Sequence, residues 1–156
     1  MSRSTLPRPF ARRVKTTTSC RNCMVESAAT AVVVDASAVV DLLVNGRPMP
    51  QAAALSSPAH MDAEVLSALG RLYRHGKLTA FDVEEMLDDL AALAIERVSI
   101  QELTATAFAL RRNVALRDGL YVALAQISGA RLNTTDARLA RACAGQGLCL
   151  LASPSQ

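Results

Sequence analysis

The sequence predicts an α/β protein whose central parallel sheet is covered by helices on both faces, and three observations carry that reading. The run Val32, Val33, Val34 is apolar, β-branched and unbroken, as in a strand buried on both faces rather than one alternating between core and water. Segments with apolar residues at helical spacing are interleaved with further short strand-like runs, the pattern of a parallel sheet with crossover helices. The valine run stops at an acid, Asp35. In open parallel sheets ligands bind beyond the carboxyl ends of the strands, so an acid there is a candidate for chemistry rather than packing.

The chain has 156 residues, enough for one domain with a sizeable core. Hydrophobic residues make up 51% but aromatics only 3%, so Ala, Val, Leu and Ile must build that core. Apolar runs are all broken well short of the roughly 18 residues a membrane span needs, so the expectation is a soluble protein with no membrane partner. The formal charge of +3 is unevenly placed. Residues 1–30 hold Arg3, Arg8, Arg12, Arg13, Lys15 and Arg21 against Glu26 alone, whereas the body from 31 onward carries net −2. The high pI therefore belongs to the tail and says nothing about the body's partners.

Residues 1–23 are rich in Arg, Ser, Thr and Pro, lack acids and show no apolar period, so they are expected to be a disordered basic tail. Their composition also resembles an organellar transit peptide, but Met24 opens the segment leading into the first strand and is the preferred start. Of the four cysteines, Cys20 and Cys23 form a C-x-x-C pair, which raises zinc or redox chemistry. The pair has no flanking strand or helix, and Cys143 and Cys149 have no nearby His. Free thiols are the expectation.

The elements follow in order. Ala38 to Val44 reads as a helix ended by Asn45 and Gly46, and Arg47 to Gln51 as a loop. From Met61 to Tyr73 the positions Val65, Leu69, Leu72 and Tyr73 have helical spacing, with Glu64 in the first turn. Thr79 starts the next helix through a capping box with Asp82 and a staple between Leu78 and Val83. Phe81, Met86 and Leu93 there exceed what one inward stripe requires. Ile95 to Ile100 alternates as a strand, and a helix runs from Gln101 to about Arg112. Asp118 heads a helix so apolar that only Gln126 and Ser128 are left to meet water before Gly129 closes it, which marks a central helix. Arg131 to Asp136 is a strand and turn, Asp136 to Cys143 a helix, and Gly147 to Ala152 a last strand. The expected order is β-α-α-α-β-α-α-β-α-β.

Four acids, Asp35, Glu64, Asp118 and Asp136, each stand at the end of a strand or the start of a helix, which puts them on one edge of the sheet. Each has a bland explanation alone: Asp118 and Asp136 as helix N-caps, Glu64 as a partner of the helix dipole, Asp35 as an Asx turn. Jointly the bland reading weakens, because four converging carboxylates repel unless a cation neutralises them. Hard oxygen ligands without His favour Mg²⁺ or Mn²⁺ over zinc.

The segments VVVDASAVV, HMDAEVLSAL, RDGLYVALA and TTDARLA resemble the acidic motifs of PIN-domain ribonucleases, specifically the VapC-type toxins of toxin–antitoxin systems. The resemblance spans roughly 31–152 and implies a PIN-like three-layer nuclease domain. It makes Asp35, Glu64, Asp118 and Asp136 the metal-binding and catalytic acids, supported by the hydroxyls of Ser37 and Thr134. It further implies bound Mg²⁺ or Mn²⁺, single-stranded RNA as substrate with 5′-phosphate and 3′-hydroxyl products, a homodimer and a cognate antitoxin. Arg117 and Gly119 depart from the family, which usually shows an aromatic and an alanine beside this acid; Gly119 is expected to loosen its turn at up to about 1 kcal/mol. Arg111, Arg112, Arg117, Arg138 and Arg141 are candidate contacts for RNA phosphates.

Rival classes lack their parts. A receiver-like domain needs a late-strand Lys, yet the only lysines are Lys15 and Lys77; a Ser or Cys hydrolase lacks a partner for its nucleophile, since His60 and His75 both flank the Met61 helix; no GxxxxGK marks a P-loop. The alternative is a PIN-like module that binds antitoxin or RNA without cutting. No acid is missing in the way that reading would require.

Overall fold

A computed structural model describes residues 31–144 and 150–151. The basic tail of residues 1–23, the Met24 start, Cys20, Cys23 and Cys149 lie outside the described residues. The elements are β1 (Val32–Val34), α1 (Ala36–Asn45), β2 (Leu55–Pro58), α2 (Met61–Arg74), α3 (Ala80–Ala92), β3 (Ile95–Val98), α4 (Ile100–Ala109), α5 (Asp118–Ser128), β4 (Arg131–Asn133), α6 (Ala137–Ala144) and β5 (Leu150–Leu151). All pairings are parallel, and the strands lie in the order β3-β2-β1-β4-β5. Val32, Val33 and Val34 are each 0% exposed, so the central strand is covered on both faces and the fold is the expected three-layer α/β arrangement.

Strand β2 is not among the elements the sequence predicts. Leu55, Ser56, Ser57 and Pro58 have neither alternation nor a β-branched residue, and a Pro argues against a central strand. Tertiary contacts override that: β2 is held between β1 and β3, and the Ser57 hydroxyl donates to the Val34 carbonyl at 2.8 Å. Pro58 sits at the strand's last position, where its missing N–H costs little, and Ala59 resumes the ladder on Val98 at 2.9 Å. The true order is therefore β-α-β-α-α-β-α-α-β-α-β.

The helix signals were mostly literal. Gly46 takes φ +66° and returns its N–H to the end of α1. Thr79 and Asp82 form the full capping box, with Thr79 accepting from the Asp82 amide at 3.1 Å and Asp82 from the Thr79 amide at 2.7 Å. Helix α5 is the central helix: Gly119 and Tyr121 to Ala125 are buried, and it packs on β1, β2, β4 and α4.

Three details differ. Ile127 is 59% exposed, because the last turn of α5 leaves the sheet and lies in solvent together with Gln126 and Ser128. Met86 and Leu93 pack partly against the core, and of the three surplus residues only Phe81, 65% exposed, is free of it. Gly119 has a role the sequence does not suggest: it permits close approach of α4, since a Cβ there would lie 3.3 Å from the Ala107 carbonyl oxygen.

Candidate active site

The sheet order fixes where the site must lie. From β1 the chain moves outward through β2 to β3, then returns to place β4 on the other side of β1. Beyond the carboxyl ends of β1 and β4 the connections diverge, which opens a crevice at the topological switch point. Val34 is in register with Asn133, and the Asp35 amide donates to the Asn133 carbonyl at 3.0 Å, so Asp35 and Thr134 leave the sheet side by side.

Asp35 is 6% exposed. Although it precedes α1, its side chain makes no capping bond; its Oδ2 instead accepts the Ser37 hydroxyl at 2.6 Å and the Thr134 hydroxyl at 2.7 Å. Those two hydroxyls are 3.2 Å apart and are themselves tied down, Ser37 Oγ accepting from the Thr135 amide and Thr134 Oγ1 from the Asp136 amide, each at 3.0 Å. Burial pushes the Asp35 carboxyl above its ordinary range, the two hydroxyl bonds pull it back, and the Glu64 charge raises it again. A carboxylate held this deep, in a position where it caps nothing, is not explained by local backbone needs.

Glu64 enters from the first turn of α2. Its Oε2 accepts the Tyr121 hydroxyl at 2.6 Å and its Oε1 lies 3.0 Å from the Arg117 guanidinium. Burial, with the bond to Glu64, pushes the Tyr121 phenol far above its usual value, so it remains a donor. The His60 ring lies 4.9 Å from that of Tyr121 and 3.7 Å from Glu64; burial lowers its pKa, with the Glu64 charge opposing. Asp62, the other acid of that turn, is held by Arg97 at 3.1 Å and takes no part.

Asp118 is the first residue of α5, one position inside the cap, and lies 3.3 Å from the Arg138 guanidinium. Desolvation raises its pKa, with Arg138 opposing and Asp136 and Glu64 reinforcing. Asp136 is a true helix cap: its Oδ1 accepts from the Arg138 amide at 2.7 Å and the Leu139 amide at 3.3 Å. Cys143, the thiol of α6, is buried and pushed up to about 11 by burial, so it stays protonated as an ordinary core residue.

All four acids line one cavity of about 460 Å³, together with Asp41, Arg71 and Arg117. Arg138 reaches it through Asp118. Arg111 does not line it; it stacks on Phe108 at 4.4 Å and bonds the Phe108 carbonyl, and Arg112 and Arg141 are not on the cavity wall either. Tyr121, His60 and Asp41 are further residues of the site; in sequence Tyr121 reads as one more apolar residue of α5, and its position three residues after Asp118, on the same helix face, is the available signal.

The donor set suits a hard cation in kind, since carboxylate oxygens surround the cavity and the deepest is destabilised by burial and by a neighbouring charge. Among the described residues, no three His, Cys, Asp or Glu side chains are closed around a point as a finished ligand set. In this arrangement Arg117 and Arg138 hold Glu64 and Asp118, and Asp136 is turned to its helix amides.

Fold and site together define an α/β protein with an acid-lined crevice at the switch point of a parallel sheet. Residues 32–145 match the PIN domain. The chain is 47% identical over 118 residues to Ribonuclease VapC3 of Mycobacterium tuberculosis, covering 71% of this chain and 86% of that protein. It is 35% identical over 121 residues to Ribonuclease VapC9 of the same organism, covering 76% and 94%. Its fold also matches a crystal structure of PAE2754 from Pyrobaculum aerophilum with TM-score 0.56 and 21% identity, covering 80% of this chain and 88% of that one. The chain belongs to the PIN-domain family, among its VapC ribonucleases.

Proposed function

We propose that this chain is a metal-dependent endoribonuclease, the toxin of a type II toxin–antitoxin module, hydrolysing RNA phosphodiester bonds. One observation carries the reading: acids from four separate segments line a single cavity at the switch point, and the most buried of them serves no capping role. The names of its relatives as VapC ribonucleases point the same way.

Asp35, Glu64 and Asp118, joined by Asp136, would hold Mg²⁺ or Mn²⁺. When bound, such an ion supplies an activated water and charge compensation on the phosphoryl oxygens. Ser37 and Thr134 orient Asp35 through Oδ2. Arg117 and Arg138, with side chains 69% and 73% exposed, are long and loosely held, so once released from the acids they can bind phosphates of the RNA strand.

The partners follow from the same reading. A cognate antitoxin helix would dock on the α2 and α3 surface, where Leu66, Tyr73 and Phe81 are exposed. Phe108, Leu116 and Ile127 are exposed apolar residues of the α4 to α5 region that a homodimer would cover. Asp35→Asn should abolish RNA cleavage while circular dichroism stays unchanged, and excess EDTA should silence the wild type. Cleavage persisting in either case overturns the proposal.

A further inference from the structure

We infer that Tyr121 is the positioning residue of Glu64: it fixes Oε2 and leaves Oε1 as the oxygen open to exchange with a cation. The inference rests on the reading of the acids as a metal site. Tyr121 heads the fully buried side chains by size and is 1% exposed, so its hydroxyl must find a partner inside the protein. It finds Glu64 Oε2 at 2.6 Å, a charge-assisted bond. The imidazole of His60 does not compete, because its Nε2 stands 3.7 Å from the same oxygen, beyond hydrogen-bond distance, and its ring instead leans on the Tyr121 ring at 4.9 Å with a 49° tilt. The phenol is thereby fixed in place, and with it one end of the carboxylate.

The other end is held differently. Oε1 meets the Arg117 guanidinium at 3.0 Å, but that side chain is 69% exposed and can swing into water without disturbing the core. Tyr121 and Asp118 lie three residues apart on α5, so a single helix supplies one acid and the group that aims a second acid from α2. Side chains that hold a ligating carboxylate in place contribute strongly to metal affinity without touching the ion.

Isothermal titration of Mn²⁺ into the wild type, Tyr121→Phe and Val122→Ala tests this, with melting recorded in EDTA for each. Phenylalanine keeps the ring volume, and Glu64 keeps its Arg117 partner on Oε1, so the fold survives. Tyr121→Phe should weaken Mn²⁺ binding about tenfold. Val122→Ala, a truncation of a 0% exposed neighbour on α5, should lower the melting temperature but leave Mn²⁺ affinity as in the wild type. Affinity unchanged in Tyr121→Phe, or an equal loss in Val122→Ala, overturns the positioning role while leaving the metal site intact. A wild type that binds no Mn²⁺ instead overturns the metal reading itself.

Discussion

Replacing Asp35 by Asn should stabilise the protein in EDTA and destabilise it relative to wild type in Mn²⁺. At 6% exposure the carboxylate has lost nearly all its hydration, a penalty of several kcal/mol even after relaxation. The Ser37 and Thr134 hydroxyls return part of that. Bonds to a charged acceptor exceed neutral ones by about 1 kcal/mol each, so Asn forfeits about 2 kcal/mol over the two. The raised pKa shows that desolvation outweighs those bonds. The expected net gain is about 1 kcal/mol near neutral pH, or about 2–4 °C in melting temperature for a domain of this size. The pH dependence has a fixed sign. Because the folded pKa lies above the unfolded value of about 3.9, the wild type is penalised once pH exceeds that range, and the penalty vanishes as Asp35 protonates in acid. The variant's advantage should therefore shrink as pH is lowered from about 7 toward 4. In Mn²⁺ at a hundredfold excess over its dissociation constant, the wild type should gain about 2.7 kcal/mol and the variant little, reversing the order. Thermal melts of both proteins across pH, in EDTA and in Mn²⁺, provide the assay. A variant that melts below wild type in EDTA at neutral pH, or that keeps its lead in Mn²⁺, would refute the burial reasoning.

Arg117→Gln should tighten Mn²⁺ binding about threefold, because an exposed ion pair is worth only about 0.2–1 kcal/mol, and should weaken binding of uncleavable RNA to the metal-loaded protein; titration of each ligand checks both. Asp136→Ala should cost about 1 kcal/mol of stability through the lost cap, whereas Asp136→Asn should keep it, and both should weaken Mn²⁺ binding. Equal melting of those two variants would show that the cap contributes nothing. Phe81→Ser should reduce antitoxin affinity by at least tenfold with RNA cleavage and melting temperature unchanged, as measured by titration with the purified antitoxin.

What the sequence made legible follows from how local each signal is. The valine strand, the Thr79 capping box and the apolar α5 are each encoded by neighbouring residues, and each is found in the structure. Strand β2 was not legible, because Leu55 to Pro58 owes its extended form to partners on both sides rather than to its own propensity. The four acids could be placed on one edge from their positions at element ends. Their different states could not, since burial of Asp35, capping by Asp136 and the arginine partners of Glu64 and Asp118 arise from contacts across 20 to 99 residues and from local turns that look alike in sequence. Tyr121 was hidden for the same reason: its hydroxyl meets an acid 57 positions away.

The acids are restrained in two distinct ways, from within the fold and from its surface. Asp35 and one oxygen of Glu64 are held from within by neutral donors just after β4, on α1 and on α5, groups that cannot leave without disturbing the sheet edge or the central helix. Asp118 and the second oxygen of Glu64 are held from outside by guanidinium groups whose side chains are 73% and 69% exposed. The inner restraints set position, while the outer ones neutralise charge that would otherwise be repulsive. Surface pairs of this kind are weak and screened by salt, so they hold the carboxylates only until a stronger cation competes. Under the proposed function, a metal ion that took the carboxylates would free the same two arginines for the phosphates of an anionic strand.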